Sequence, residues 1–328
     1  MLPRLIMNKK TGLLLVNLGT PDEPTTAAVR RYLRVFLSDS RVITLPRIPW
    51  RILLNTLILP LRSPVVAKKY REIWGAGGSP LRMHSLALGD KLSAELGMPV
   101  AVGMRYGQPS LKDALLQLRQ TGIDNLIVLP LFPQFSSATS ASVFDAVTAA
   151  FRPCPHLPAF HFIPDYHDQP DYIACLAGRI KAQWAKQGRA QKLLIFFHGL
   201  PQRMVDQGDP YQRQCQQTAQ LLAENLALSP AEWELAYQSR FGKTAWLQPY
   251  GIERIKNLPL EGITRVELIS PGFATDCLET LEELNIQYRE LFIAAGGKSY
   301  HYISALNSEA DHVTCMANII RACHVQLD

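Results

Sequence analysis

The sequence predicts an α/β protein of two similar halves, each a four-stranded parallel sheet flanked by helices, with the functional site in the cleft between them. Three observations predict it. The run Leu13-Leu14-Leu15-Val16-Asn17-Leu18-Gly19-Thr20-Pro21 recurs as Leu193-Leu194-Ile195-Phe196-Phe197-His198-Gly199-Leu200-Pro201, an apolar stretch ending in a Gly-x-Pro turn, with His198 in place of Leu18. Two shorter echoes follow in the same order: Met104-Arg105-Tyr106-Gly107 with Ser239-Arg240-Phe241-Gly242, and Pro133-Gln134-Phe135-Ser136-Ser137 with Pro271-Gly272-Phe273-Ala274-Thr275. Finally, short aliphatic runs alternate with helical patterns throughout, which is the signature of βαβ units.

In chain order, residues 13–16 are aliphatic without a break, as suits a strand buried on both faces of a parallel sheet. An insertion follows at 42–80. It is inferred from spacing: Pro21 to Pro201 spans 180 residues, whereas Arg105 to Arg240 spans 135 and Pro133 to Pro271 spans 138. Repeats this far apart are duplicated domains, since solenoid repeats run at about 20–50 residues. Strands are then expected at 100–102 and 126–131, with a helix at 111–119 between them. The second half repeats the order, with strands at 193–197, 234–237 and 266–269 and a helix at 210–226. A last helix near 312–323 is expected to pack back onto the first half. Each half is thus Rossmann-like, with boundaries at 1–165 and 166–310 and a C-terminal helix in 311–328. In such sheets ligands bind beyond the carboxyl ends of the strands, where all three repeated motifs lie.

Composition narrows the function. With 34 Lys and Arg against 28 Asp and Glu, the formal charge of +6 is small and dispersed. That argues against nucleic acid and suits anionic small molecules or a membrane face. Six cysteines without a CxxC pair, and no N-terminal export pattern, point to reduced thiols in the cytoplasm. The oligomeric state is not written in one chain; a monomer is the expectation.

Residues 45–62 of the insertion are strongly apolar but interrupted by prolines and arginines. They are too broken to span a bilayer, which needs about 20 uninterrupted apolar residues. Two readings stay open: an apolar segment packed under a loop, or an exposed greasy lip that holds an apolar ligand or touches a membrane surface.

Chemistry concentrates in two places. His198 ends an apolar run and is followed by Gly-Leu-Pro, so its imidazole is expected to project from a strand tip into the cleft. Its counterpart Leu18 shows that the fold does not need a polar group there. A neutral imidazole ligates a divalent metal or accepts a proton near neutral pH. The second place is Asp276-Cys277-Leu278-Glu279-Thr280-Leu281-Glu282-Glu283, where Glu279, Glu283 and Gln287 fall at i, i+4 and i+8 on one stripe of a helix. Acidic residues there also complement a helix dipole. A carboxylate stripe leading from a histidine is a path for a cation inward or protons outward, and imidazole plus carboxylate suits a borderline ion such as Fe²⁺. Gly75-Ala76-Gly77-Gly78-Ser79-Pro80 follows a helical stretch, not a strand, so it is no dinucleotide fingerprint. Walker A, HExxH and GxSxG sequences do not occur.

These motifs resemble the ferrochelatases, two-domain chelatases that insert iron into a porphyrin, over residues 11–318. The resemblance is carried by Phe197-His198-Gly199-Leu200-Pro201, by Tyr237-Gln238-Ser239-Arg240-Phe241-Gly242 with Trp246-Leu247 and Pro249 behind it, and by Ser270-Pro271-Gly272-Phe273 leading into 276–283. It implies that Fe²⁺ and protoporphyrin IX are substrates and that His198 and Glu279 form the iron-site pair, with Glu283 on the metal or proton path. It also places Arg62, Tyr70, Ser79, Arg105 and Tyr106 at the porphyrin or its propionates, and Leu18 near the macrocycle. Some members carry an iron–sulfur cluster; here Ser137 stands at the internal cysteine position, and Cys315 and Cys323 cannot supply four ligands, so no cluster and no other cofactor is expected. Gln287 stands where many relatives have a third carboxylate. A chelatase for another metal or tetrapyrrole, such as cobalt, and a non-catalytic haem or porphyrin carrier are the competing readings.

Overall fold

The protein is described from a computed structural model covering residues 9–155, 157–242 and 244–324. Eight parallel strands form two four-stranded sheets. The first contains β1 (Thr11–Asn17), β2 (Val100–Met104), β3 (Asn125–Pro130) and β4 (Ala159–Phe162) in the order β2-β1-β3-β4. The second contains β5 (Lys192–His198), β6 (Trp233–Gln238), β7 (Arg265–Ile269) and β8 (Ser299–Tyr302) in the order β6-β5-β7-β8. The expected α/β architecture is therefore present in both halves. The two strands that carried no aliphatic run of their own are β4 and β8, Ala-Phe-His-Phe and Ser-Tyr-His-Tyr, short four-residue strands at sheet edges.

Alternation within the aliphatic strands divides the core. Leu13 and Leu15 of β1 point to the same central core as Leu193, Ile195 and Phe197 of β5, while Leu14 and Val16 face one outer layer and Leu194 and Phe196 another. Both faces of each central strand are buried, which explains why these runs read as continuous apolar stretches. The central core also takes in residues from the helices Pro80–Leu96, Pro170–Gln187, Tyr211–Asn225 and Ala310–His324. Ala310–His324 packs against both Pro80–Leu96 and Pro170–Gln187, and Arg321 pairs with Glu95 at 2.8 Å.

Strand register corrects the repeat read from sequence. Asn17 pairs with Met104 and Phe197 with Tyr237, so Met104 answers to Tyr237 and Tyr106 to Ser239. Likewise Leu13 pairs with Ile127 and Leu193 with Glu267, which aligns Leu131, not Pro133, with Pro271. The first echo holds in space, whereas the other two are slipped along the chain because they lie in turns after strands, where ladder hydrogen bonds no longer fix register.

The insertion is helical: Arg47–Leu53, a π turn at Leu54–Ile58, then Leu59–Ile73. Pro60 lacks the N–H that would close a regular turn, and the helix widens immediately before it. Leu54, Leu59, Ala67 and Tyr70 are buried on its inner side, while Ile48, Ile52 and Leu61 stand 75, 61 and 64% exposed. The segment thus has a packed face and an exposed apolar face. Among the described residues, no helix is long and apolar enough to cross a membrane.

Candidate active site

The tip of β1 is locked to its surroundings by two residues. Asn17 donates to Ser85 Oγ at 2.9 Å and, across the cleft, to Thr275 Oγ1 at 3.0 Å, while its own Oδ1 accepts the Leu18 N–H at 2.8 Å. Gly19 has φ +105°, and a Cβ there would lie 1.6 Å from the Tyr106 carbonyl oxygen, so only glycine fits. Leu18, Tyr70 and Leu278 consequently meet in one apolar cluster with Tyr32. This brings the insertion, the β1 tip and the start of the Glu279 segment into one wall.

At the matching tip of β5, His198 is half-buried and its Nδ1 lies 2.7 Å from the Gly199 carbonyl oxygen. A carbonyl only accepts, so the neutral ring carries its hydrogen on Nδ1 and keeps the Nε2 lone pair free. The Trp246 ring stands 6.5 Å from the imidazole, centroid to centroid. Tyr211 donates to the His198 carbonyl at 3.0 Å, fixing the backbone beneath the ring.

Glu279 opens a π-helix, Glu279–Tyr288, and this corrects the stripe expected from α-helical spacing. In a π-helix the hydrogen-bonded neighbours are five apart, not four. Gln287 therefore turns to donate to Glu282, and Tyr288 to Glu283. Glu282 is further paired with Lys69 at 3.0 Å, clipping the insertion helix to the π-helix. Gln287, the uncharged third member of the stripe, is thus spent on Glu282.

The start of the π-helix is anchored by Asp276, the first residue of the acidic motif, to which the sequence assigned no separate role. Its buried carboxylate accepts from Thr280 Oγ1, the Tyr302 hydroxyl and Asn307 Nδ2 at 2.9, 2.8 and 2.7 Å. Glu279 is half-buried with Tyr32, Tyr70 and Cys277 close enough that its charge raises all three of their pKa values, on top of the larger effect of burial. A thiol stands beside the carboxylate, and burial together with the Glu279 charge keeps Cys277 as S–H. Glu283 accepts the Ser239 N–H at 2.9 Å, the Ser239 hydroxyl and Gln238 Nε2 at 3.3 Å. Burial raises its pKa against the opposing effects of Ser239 and of the facing His198.

The remaining expected residues divide. Arg62 of the insertion lays its guanidinium 4.4 Å over the Phe241 ring of the second half. Ser79 is buried at the start of the helix Pro80–Leu96. Arg105 and Tyr106 are committed to a knot beneath the cleft: Arg105 pairs with Asp39 at 2.5 Å and donates to Ser142 Oγ at 2.7 Å, and the Tyr106 hydroxyl donates to Asp39 at 2.7 Å. Tyr106 is only 2% exposed. The roles of Asp39, Ser142 and Ser239 had no signal in local spacing, because their partners lie 37 to 103 residues away.

A ferrochelatase family model matches residues 10–323. Ferrochelatases from Erwinia tasmaniensis and Escherichia coli strain K12/DH10B are 49 and 48% identical, each alignment covering 95% of this chain and 98% of the relative. The chain belongs to the ferrochelatase family. Among solved structures, SirB from Bacillus subtilis with Fe³⁺ superimposes with a TM-score of 0.58 at 11% identity, covering 95% of this chain and 94% of the other. CbiX, the terminal enzyme for siroheme biosynthesis in denitrifying bacteria, superimposes with a TM-score of 0.53 at 15% identity over 95 and 98% of the two chains. Those likenesses concern the fold alone.

Proposed function

We propose that this ferrochelatase-family protein inserts Fe²⁺ into protoporphyrin IX, giving protohaem and two protons as the terminal step of haem biosynthesis. The observation that carries the mechanism is the fixed tautomer of His198: Nδ1–H is held on Gly199, which leaves the lone pair on Nε2. Metal insertion must strip water from the ion, bend the macrocycle to expose nitrogen lone pairs, and remove two pyrrole protons. The wall of Leu18, Tyr70 and Leu278 supplies the rigid apolar side of the slot. His198 Nε2 takes up a pyrrole proton or presents the metal, and Glu279, which follows Leu278 of that wall, completes the iron site. Glu283 faces His198 and supplies the counter-charge when the ring is protonated, as the next carboxylate on the way out. With few strong ligands the ion is handed over instead of trapped.

The same reading has Arg62 at the mouth meeting a propionate, and no iron–sulfur cluster. Ser137 spends its backbone N–H on Asp209, at 2.7 Å. The exposed Ile48, Ile52 and Leu61 of the lip, with Arg47 and Arg51 beside them, serve as a peripheral contact to the inner membrane face from the cytoplasm. Anaerobic mixing of the protein with protoporphyrin IX and Fe²⁺ tests the activity. Catalytic conversion of the visible porphyrin spectrum to that of haem supports it, and a spectral change that stops at one equivalent makes the protein a carrier. Parallel reactions with Co²⁺ and with a more carboxylated tetrapyrrole separate it from the other chelatase chemistries.

A further inference from the structure

We infer that Ser239 is a positioning residue for the insertion reaction, holding the Glu283 carboxylate in place opposite His198. The inference rests on the proposed role of His198 and asks what fixes the charge behind it. Glu283 accepts both the N–H and the hydroxyl of Ser239, with Gln238 Nε2 and, at 3.4 Å, the Tyr288 hydroxyl as further donors. An ionised carboxylate has about four acceptor sites, so these donors leave the group little freedom to turn. Two of them come from one residue.

The duplicated half shows what this costs locally. By strand register Tyr106 is the counterpart of Ser239, and Leu18 that of His198. In the first half the Tyr106 N–H closes the ordinary hydrogen bond to the Leu18 carbonyl at 2.9 Å. In the second half the Ser239 N–H is diverted to Glu283, and Tyr211 donates to the His198 carbonyl. The diversion needs a left-handed backbone, φ +65° at Ser239, which a residue with a side chain adopts rarely. Glycine would make the turn with less strain. What serine adds is the hydroxyl, and that hydroxyl is spent on Glu283.

A chain held by turn geometry alone and a chain held for Glu283 respond differently to one substitution. Ser239→Gly keeps the N–H donor and relaxes the backbone while deleting only Oγ, so it is not expected to impair folding; a thermal melt confirms this. Hydrogen bonds to charged groups contribute enough that kcat for Fe²⁺ insertion should fall about tenfold, with protoporphyrin binding, read by fluorescence, unchanged. In a Glu283→Gln background the same change should have little further effect, because the ionised partner is gone. The cycle is also read without turnover, from the ¹⁵N resonances of the His198 ring, which should move on Ser239→Gly in the parent protein and not in Glu283→Gln. A wild-type kcat in Ser239→Gly, or an equal fall and equal resonance shift in both backgrounds, overturns the inference. Absence of haem formation by the unaltered protein would instead overturn the function itself.

Discussion

His198 is the residue on which the chemistry turns, and its environment gives a sharp expectation. His198→Ala should reduce iron insertion by at least about 10²-fold, the usual range for losing a general base, while porphyrin binding persists because the apolar wall belongs to other residues. Retained turnover would move the base elsewhere. Gly19 gives a contrasting outcome at the same scale. A methyl group 1.6 Å from the Tyr106 carbonyl oxygen, at φ +105°, forces the β1 turn off the turn after β2. Gly19→Ala should therefore cost more than about 4 kcal/mol, the level reached only by such named steric faults, and be seen as loss of folded protein in denaturant melts. His198 was legible because a polar residue stood where the repeat has leucine. Ser239 was not, since a positive φ and a carboxylate 44 positions away leave no local trace.

Among the elements, the insertion helix and the π-helix are coupled by Lys69 and Glu282. Glu282 is almost buried and Lys69 about a third exposed. Lys69→Ala should cost about 2 kcal/mol, less than the ~3–5 of a fully buried pair because water screens the lysine side. Adding Glu282→Gln should recover most of that loss, since the penalty comes from the stranded charge; no recovery in the urea midpoint would show that Lys69 acts by packing. The outer side of the same helix makes a separate prediction. Ile52→Glu with Leu61→Glu should abolish co-sedimentation with anionic vesicles and leave insertion with dispersed porphyrin near wild type, whereas unchanged sedimentation would free the lip from any membrane role. The helical nature of this segment was obscured by Pro49, Pro60 and Pro64, which signal breaks locally; Pro49 falls in the first turn of its helix, Pro60 follows the π turn and Pro64 sits inside Leu59–Ile73.

Across the whole molecule, two histidines give stability opposite dependences on pH. His312, fully buried on the last helix, has its pKa lowered by burial to about 4. The unfolded chain takes up this proton near the ordinary value of about 6.5, so stability falls as pH drops below that point, by about 3 kcal/mol on reaching pH 4. His312→Gln should flatten that acid slope. His167 binds Asp165 through Nδ1 at 2.8 Å and Gln217 through Nε2 at 3.1 Å, with Asp168 at 3.9 Å, at the junction of the halves. Its pKa is raised, since these hydrogen bonds and charges outweigh burial. The stability it contributes is complete below the ordinary histidine pKa and is lost as pH rises through the folded value. Melting temperatures of His167→Gln should accordingly lose their decline above neutral pH, and an unchanged decline would remove His167 from the junction's energetics.

By itself the sequence determined the two-sheet α/β plan, the duplication and the half that carries the chemistry. Each of those is local: strand burial is written in unbroken aliphatic runs, and the change from Leu18 to His198 in an otherwise matching motif. Tertiary structure alone decided the true register of the second and third repeats, the π geometry that turns Gln287 onto Glu282, and the partners of Asp39, Asp276 and Ser239. Those depend on which turns and helices are forced together across the cleft, and contacts between residues far apart in the chain follow packing, not periodicity.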